Sequence, residues 1–103
     1  MMQGTLDMLI LRTVLLAPAH GHTIAHAIEH TSEDVLQVEH GSLYPALHRL
    51  EQGGWIRGEW QQSAEARRVR CYQLTAGGRR QLATGKTNWK RVVQAMDQVL
   101  EST

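Results

Sequence analysis

The sequence predicts a mainly α fold carrying one small β-hairpin, and three stretches of its 103 residues carry that prediction. Residues 41–54 hold the start and stop signals of a helix. Pro45 fits best in a first turn, so the helix is expected to begin near Ser42 as N-cap and to end at Gly53-Gly54. Residues 55–60 and 69–74 are rich in aromatic and β-branched side chains and flank a polar segment, which predicts two antiparallel strands with a flexible tip. Residues 76 to about 101 repeat Leu82, Trp89 and Met96 at heptad spacing, with Val92, Val93, Val99 and Leu100 on the same broad face of a long final helix.

The length allows one domain, and 42% hydrophobic residues suffice for one core. Eleven Lys and Arg against ten Asp and Glu leave a net charge of +1, so an argument for nucleic acid must rest on where the charges sit. Basic residues cluster at 67–70 and 79–80. The single cysteine, Cys71, cannot form an internal disulfide; it is expected to be a structural thiol, and a reducing cytoplasm is the expected location. The apolar run from Met8 to Ala17 is broken by Arg12 and is too short for a membrane span, so it is expected to be a buried helix.

The elements follow in order. Thr5 is the expected cap of a first helix, Asp7 suits the positive end of its dipole, and Pro18 ends it. Leu6, Leu9, Ile10, Leu11, Val14 and Leu15 cover more than one stripe, which predicts two buried faces and hints at a second subunit. Residues 20–23 read as a turn, followed by a short helix to about Thr31 with Ile24, Ala25, Ala27 and Ile28 on its apolar face. Residues 32–39 join it to the next helix, with room for a short strand. In that next helix Leu43, Leu47 and Leu50 face inward, while Ser42, Tyr44, His48 and Arg49 lie off the stripe. Ile56 and Leu74 are expected on the buried side of the hairpin. Three helices and a basic-tipped hairpin make a winged helix-turn-helix over residues 1–75. Residues 76–103 form a dimerisation helix capped by Thr75 and packed on the first helix, with Gly77, Gly78 and Gly85 expected to weaken or bend it.

The segments Gly4-Thr5-Leu6-Asp7, His20-Gly21, residues 41–51 around Leu43-Tyr44-Pro45-Ala46-Leu47, and Tyr72-Gln73-Leu74-Thr75-Ala76-Gly77 together resemble the PadR family of transcriptional regulators. The resemblance runs along nearly the whole chain and is to the short branch with a single C-terminal helix. Two departures stand out: His22 where the family commonly has an aromatic, and Cys71-Tyr72 where it commonly has two. The resemblance implies a dimeric repressor of a pseudo-palindromic operator in double-stranded DNA.

Candidate site residues follow from both lines. Ser42, Tyr44, His48 and Arg49 would contact phosphates and base edges from a helix in the major groove, with Arg49 suited to bidentate guanine recognition. Arg67, Arg68 and Arg70 would follow the backbone or enter the minor groove from the wing, and His22 joins them at the start of the second helix. Leu82, Trp89, Val92, Val93, Met96 and Leu100 would form a homodimer seam or a pocket for a planar apolar effector. His22, His26 and His30 share one side of a helix at i, i+4, i+8, but no spaced Cys or acid completes a metal site, and neither metal nor cofactor is expected. No nucleophile and base are paired, so an enzyme is not expected. The competing function is a winged-helix protein-interaction module without specific DNA binding.

Overall fold

The computed structural model describes residues 3–102. Helix α1 (Gln3–Leu16) carries Leu6, Ile10, Leu11 and Val14 into the core. It packs against every later helix. Thr5 lies within this helix and is not its cap. The chain then forms a short strand β1 (Ala19–His20) and turns directly into α2 (Gly21–Thr31), so the segment expected as a turn is already strand and helix.

The short strand allowed for residues 32–39 is absent there. Glu33 and Asp34 take positive φ values of 51° and 64°, which breaks any extended run, and the segment is instead tied down when Glu29 Oε2 accepts the Val38 N–H at 2.9 Å. Helix α3 (His40–Gln52) begins two residues before Ser42, with Glu39 at the N-cap position. Ser42 is therefore not the cap; its N–H already donates to the Glu39 carbonyl at 3.0 Å. Pro45 sits past the first turn and forgoes only the bond it would have donated to Gly41. The helix stops as expected at Gly53, and Gly54 takes φ +77°, a conformation that suits glycine.

Strands β2 (Ile56–Gln62) and β3 (Arg68–Leu74) pair antiparallel from Ile56 opposite Leu74 to Gln62 opposite Arg68. β1 adds to the other edge of β3, so the sheet has the order β1-β3-β2 rather than being a lone hairpin. Residues 63–67 form a defined tip, closed by the Ser63 N–H donating to the Arg67 carbonyl at 2.7 Å.

Helix α4 (Ala76–Leu100) runs unbroken through all three of its glycines. Thr75 is its cap, as expected: its Oγ1 accepts the Gly78 N–H at 3.0 Å and donates to the Gly54 carbonyl at 2.7 Å. Gly78 is there for space, because a Cβ would collide with the Trp55 carbonyl and lie 2.6 Å from Leu74 Cδ1. Gly85 faces Met8 of α1. Leu82 is buried in the subunit's own core, whereas nearly all of α4 beyond it is exposed. A helix of 25 residues cannot stay within so small a body, and the molecule accordingly measures 59 × 28 × 22 Å.

Candidate nucleic-acid interface

Periodicity divides α3 into two faces. Leu43, Ala46, Leu47 and Leu50 are buried against α1, α2 and the sheet, which fixes the helix rigidly. Ser42, Tyr44 and His48 are exposed, Ser42 on one flank of the buried stripe and Tyr44 and His48 on the other. Arg49 lies at the boundary between the faces, and its Nη2 donates to Asp7 Oδ1 of α1 at 2.8 Å. That ion pair links the proposed recognition helix to the central helix, on the flank of α3 that faces α1. Asp7, expected in the first turn of α1, lies beyond it and pairs instead with a residue 42 positions away, which the sequence did not reveal.

The wing arginines divide in the same way. Arg67 and Arg68 are exposed at the base of the tip. Arg70 turns back across the strand to Glu51 at the end of α3, with Nε 3.2 Å from Oε1 and Nη2 bonded to Oε2. This hydrogen bond holds the Glu51 carboxyl below its usual pKa against the opposing effect of burial, and raises the Arg70 guanidinium above its own. The pair therefore braces the wing strand against the end of α3. Trp60, on the facing strand, lies beneath both cations, 4.7 Å from the Arg68 guanidinium and 5.2 Å from that of Arg70.

Sequence periodicity did not mark Trp60, because an exposed tryptophan in a strand has no partner visible in one dimension. In three dimensions it closes one side of a recess of about 320 Å³. His20, His22, Tyr44, Arg68, Arg70 and Tyr72 line the rest, so the recess joins the start of α2, the first half of α3 and the wing. Burial raises the Tyr72 hydroxyl above its ordinary pKa, and it raises the Cys71 thiol likewise, leaving an unactivated thiol in the strand. His22, His26 and His30 stand at i, i+4, i+8 on α2. The latter two stack on each other with centroids 6.2 Å apart, while His22 meets His40 at the start of α3. Among the described residues, no cluster of three or more His, Cys, Asp or Glu converges on a metal position.

The second candidate surface is on α4. Trp89 is 45% exposed, and Val92, Val93, Met96, Val99 and Leu100 are exposed with it, forming an apolar strip on the protruding half of the helix. Leu82 is not part of this strip because it packs within its own subunit.

A buried three-helix core, a helix with a free polar face, and a basic hairpin braced to that helix define the winged helix-turn-helix class. Residues 10–84 match the PadR-like family of transcriptional regulators, and the chain belongs to that family. It is a transcriptional regulator and not an enzyme. The fold is similar to that of a transcriptional regulator from Clostridium thermocellum, at 21% identity and TM-score 0.85 over 92% of both chains. It is also similar to a PadR family transcriptional regulator from Eggerthella lenta, at 27% identity and TM-score 0.81 over 97% of this chain and 85% of that one. An uncharacterized protein of Lysinibacillus sphaericus is 25% identical over 96% of this chain and 91% of its own length. No helix among the described residues is long and apolar enough to cross a membrane.

Proposed function

We propose that this regulator is a homodimeric repressor that binds a pseudo-palindromic DNA operator through residues 1–75 and dimerises through residues 76–103. The observation that carries this is the pairing of two unsatisfied surfaces: the polar face of α3 beside exposed Arg67 and Arg68, and the apolar strip of α4. Two α3 helices, held at a fixed distance by paired α4 helices, would enter successive major grooves. Ser42, Tyr44 and His48 would then contact the groove and its edges, while Arg67 and Arg68 follow the backbone. Arg49 and Arg70 support this surface from behind, through Asp7 and Glu51. A planar apolar effector entering beside Trp89 would change the distance between the two α3 helices and release the operator. Selection of bound sequences from random DNA tests the proposal. Two half-sites with centres about one helical turn apart are expected, whereas a single half-site or no enrichment refutes a dimeric sequence reader. Quenching of Trp89 in a variant lacking Trp55 and Trp60 tests the effector step across planar aromatic compounds.

A further inference from the structure

Two histidines and three carboxylates gather where α2 ends, away from the recess that joins α3 to the wing. His26 and His30 are both exposed, one turn apart on the helix, with ring centroids 6.2 Å apart and planes within 11° of parallel. Side chains at i and i+4 share one helix face, so the two imidazoles open onto the same solvent. Together with Glu29, Glu33 and Asp34 they line a recess of about 470 Å³. No Lys or Arg lines that recess, and the nearby C-terminal end of α2 adds the negative pole of its dipole. In a chain of net charge +1, this is a local concentration of negative potential around two neutral donor rings.

We propose that His26 and His30 chelate one borderline transition-metal dication, Zn²⁺, Ni²⁺ or Cu²⁺, while Glu29, Glu33 and Asp34 attract the ion by charge. Imidazole nitrogen suits these metals, whereas Mg²⁺ and Ca²⁺ take oxygen ligands. Two exposed rings this close and this nearly parallel can each aim a nitrogen at one ion by rotation about their side-chain torsions. Among the described residues no third His, Cys, Asp or Glu converges with them, so water completes the coordination shell. The site is therefore an open, exchangeable one and not a closed structural site with four protein ligands.

The other close histidine pair shows what distinguishes this one. His22 and His40 have centroids 6.4 Å apart, but their planes stand at 78°, they belong to different helices, and His22 lines a recess with Arg68 and Arg70, which repel a cation. At His26 and His30 the helix itself fixes the spacing and the surrounding charge has the opposite sign. The chelate also has a structural consequence. A metal bridging the two rings ties together the last turns of α2, and Glu29 between them already accepts the Val38 N–H at 2.9 Å through Oε2. An ion bound here thus stabilises the end of α2 from which the connection to α3 departs.

The test titrates untagged protein with Ni²⁺ and Zn²⁺ by calorimetry at about pH 7.5, where free imidazole is mostly neutral. It compares the wild type with His26→Gln/His30→Gln and with His22→Gln/His40→Gln. Glutamine is a good helix former at exposed positions, and circular dichroism checks that each variant is folded. The wild type and His22→Gln/His40→Gln should each bind one ion per chain, and His26→Gln/His30→Gln should bind at least about tenfold more weakly. With Cu²⁺, electron paramagnetic resonance should show coupling to two imidazole nitrogens in the wild type and lose it in His26→Gln/His30→Gln. Mg²⁺ in about hundredfold excess should not displace Ni²⁺. Equal binding by the wild type and His26→Gln/His30→Gln, loss in His22→Gln/His40→Gln instead, or displacement by Mg²⁺ would each overturn the proposal, as would no binding at about 1 mM metal. None of these readouts involves DNA, so their failure leaves the function proposed above standing.

Discussion

Replacing Trp89 by alanine tests the α4 strip as a dimer seam. Trp89 exposes 45% of its surface in the isolated subunit. For a side chain of about 200 Å², that leaves about 90 Å² to be covered by a partner, or about 2 kcal/mol at about 25 cal/mol per Å². Two-fold symmetry counts the residue twice, so complete cover corresponds to about 4 kcal/mol, and half cover to about 2. At about 1.4 kcal/mol per decade, Trp89→Ala should raise the dimer dissociation constant by between about 30-fold and about 10³-fold. Sedimentation equilibrium over a concentration series reads this directly. Thermal melting at a concentration where both proteins are monomeric checks that the subunit itself survives. Val93→Glu, which places like charges near each other across the two-fold axis, should act in the same direction. A dissociation constant that moves by less than about threefold in both variants, or a wild type that is monomeric throughout, would refute the seam.

Other outcomes follow from the site. Replacing Arg67 and Arg68 together with alanine should flatten the log–log salt slope of DNA binding by about 2, because each phosphate contact contributes about 0.9; an unchanged slope would contradict the wing contacts. Arg49→Ala should lower stability by about 1 kcal/mol through loss of the Asp7 ion pair, without relaxing base preference in a selection experiment. The Glu51 carboxyl is held below its usual pKa by Arg70, so the folded state gains stability from it above the unfolded value and loses that gain as pH falls through the folded one. Acid titration of thermal stability should therefore drop less steeply below about pH 4.5 in Glu51→Gln than in the wild type. Gly78→Ala should destabilise by about 1–3 kcal/mol, since the added methyl meets the Trp55 backbone, while Gly77→Ala should be tolerated.

Local signals made some elements readable and left others hidden. The inward leucines of α3, the Thr75 cap and the Gly53-Gly54 stop depend on neighbours within one or two turns, and the structure has all three. The start of α3 was read from Pro45 as a first-turn residue, but Pro45 costs only one backbone bond inside the helix, and exposed His40 and Gly41 extend it upstream of Ser42. β1 is only two residues long and is held by pairing to a strand about fifty positions later, so no periodicity could show it. The glycines of α4 were expected to weaken it on propensity, but Gly78 is set by how closely the helix approaches Trp55.

The fold brings candidate residues of α2, α3 and the wing around one recess, but their division of labour was not legible in the sequence. Arg49 and Arg70 share composition and context with Arg67 and Arg68, yet Asp7 and Glu51 engage the first two and leave the wing tip to the others. These acids are far away in sequence and come from α1 and the end of α3, so only the fold could assign them. The consequence for operator recognition is physical. With its arginine turned toward α1, α3 presents Ser42, Tyr44 and His48, which offer few strong bidentate contacts to bases. A dimer built this way would draw much of its selectivity from half-site spacing and from how readily the DNA follows two wings, rather than from a dense code of base contacts. In such a dimer the spacing would be set by α4, whose exposed half is joined to the body through Leu82, Gly85 and the tight contact at Gly78. A signal acting on the Trp89 strip would therefore act on the quantity that the proposed recognition surface depends on most.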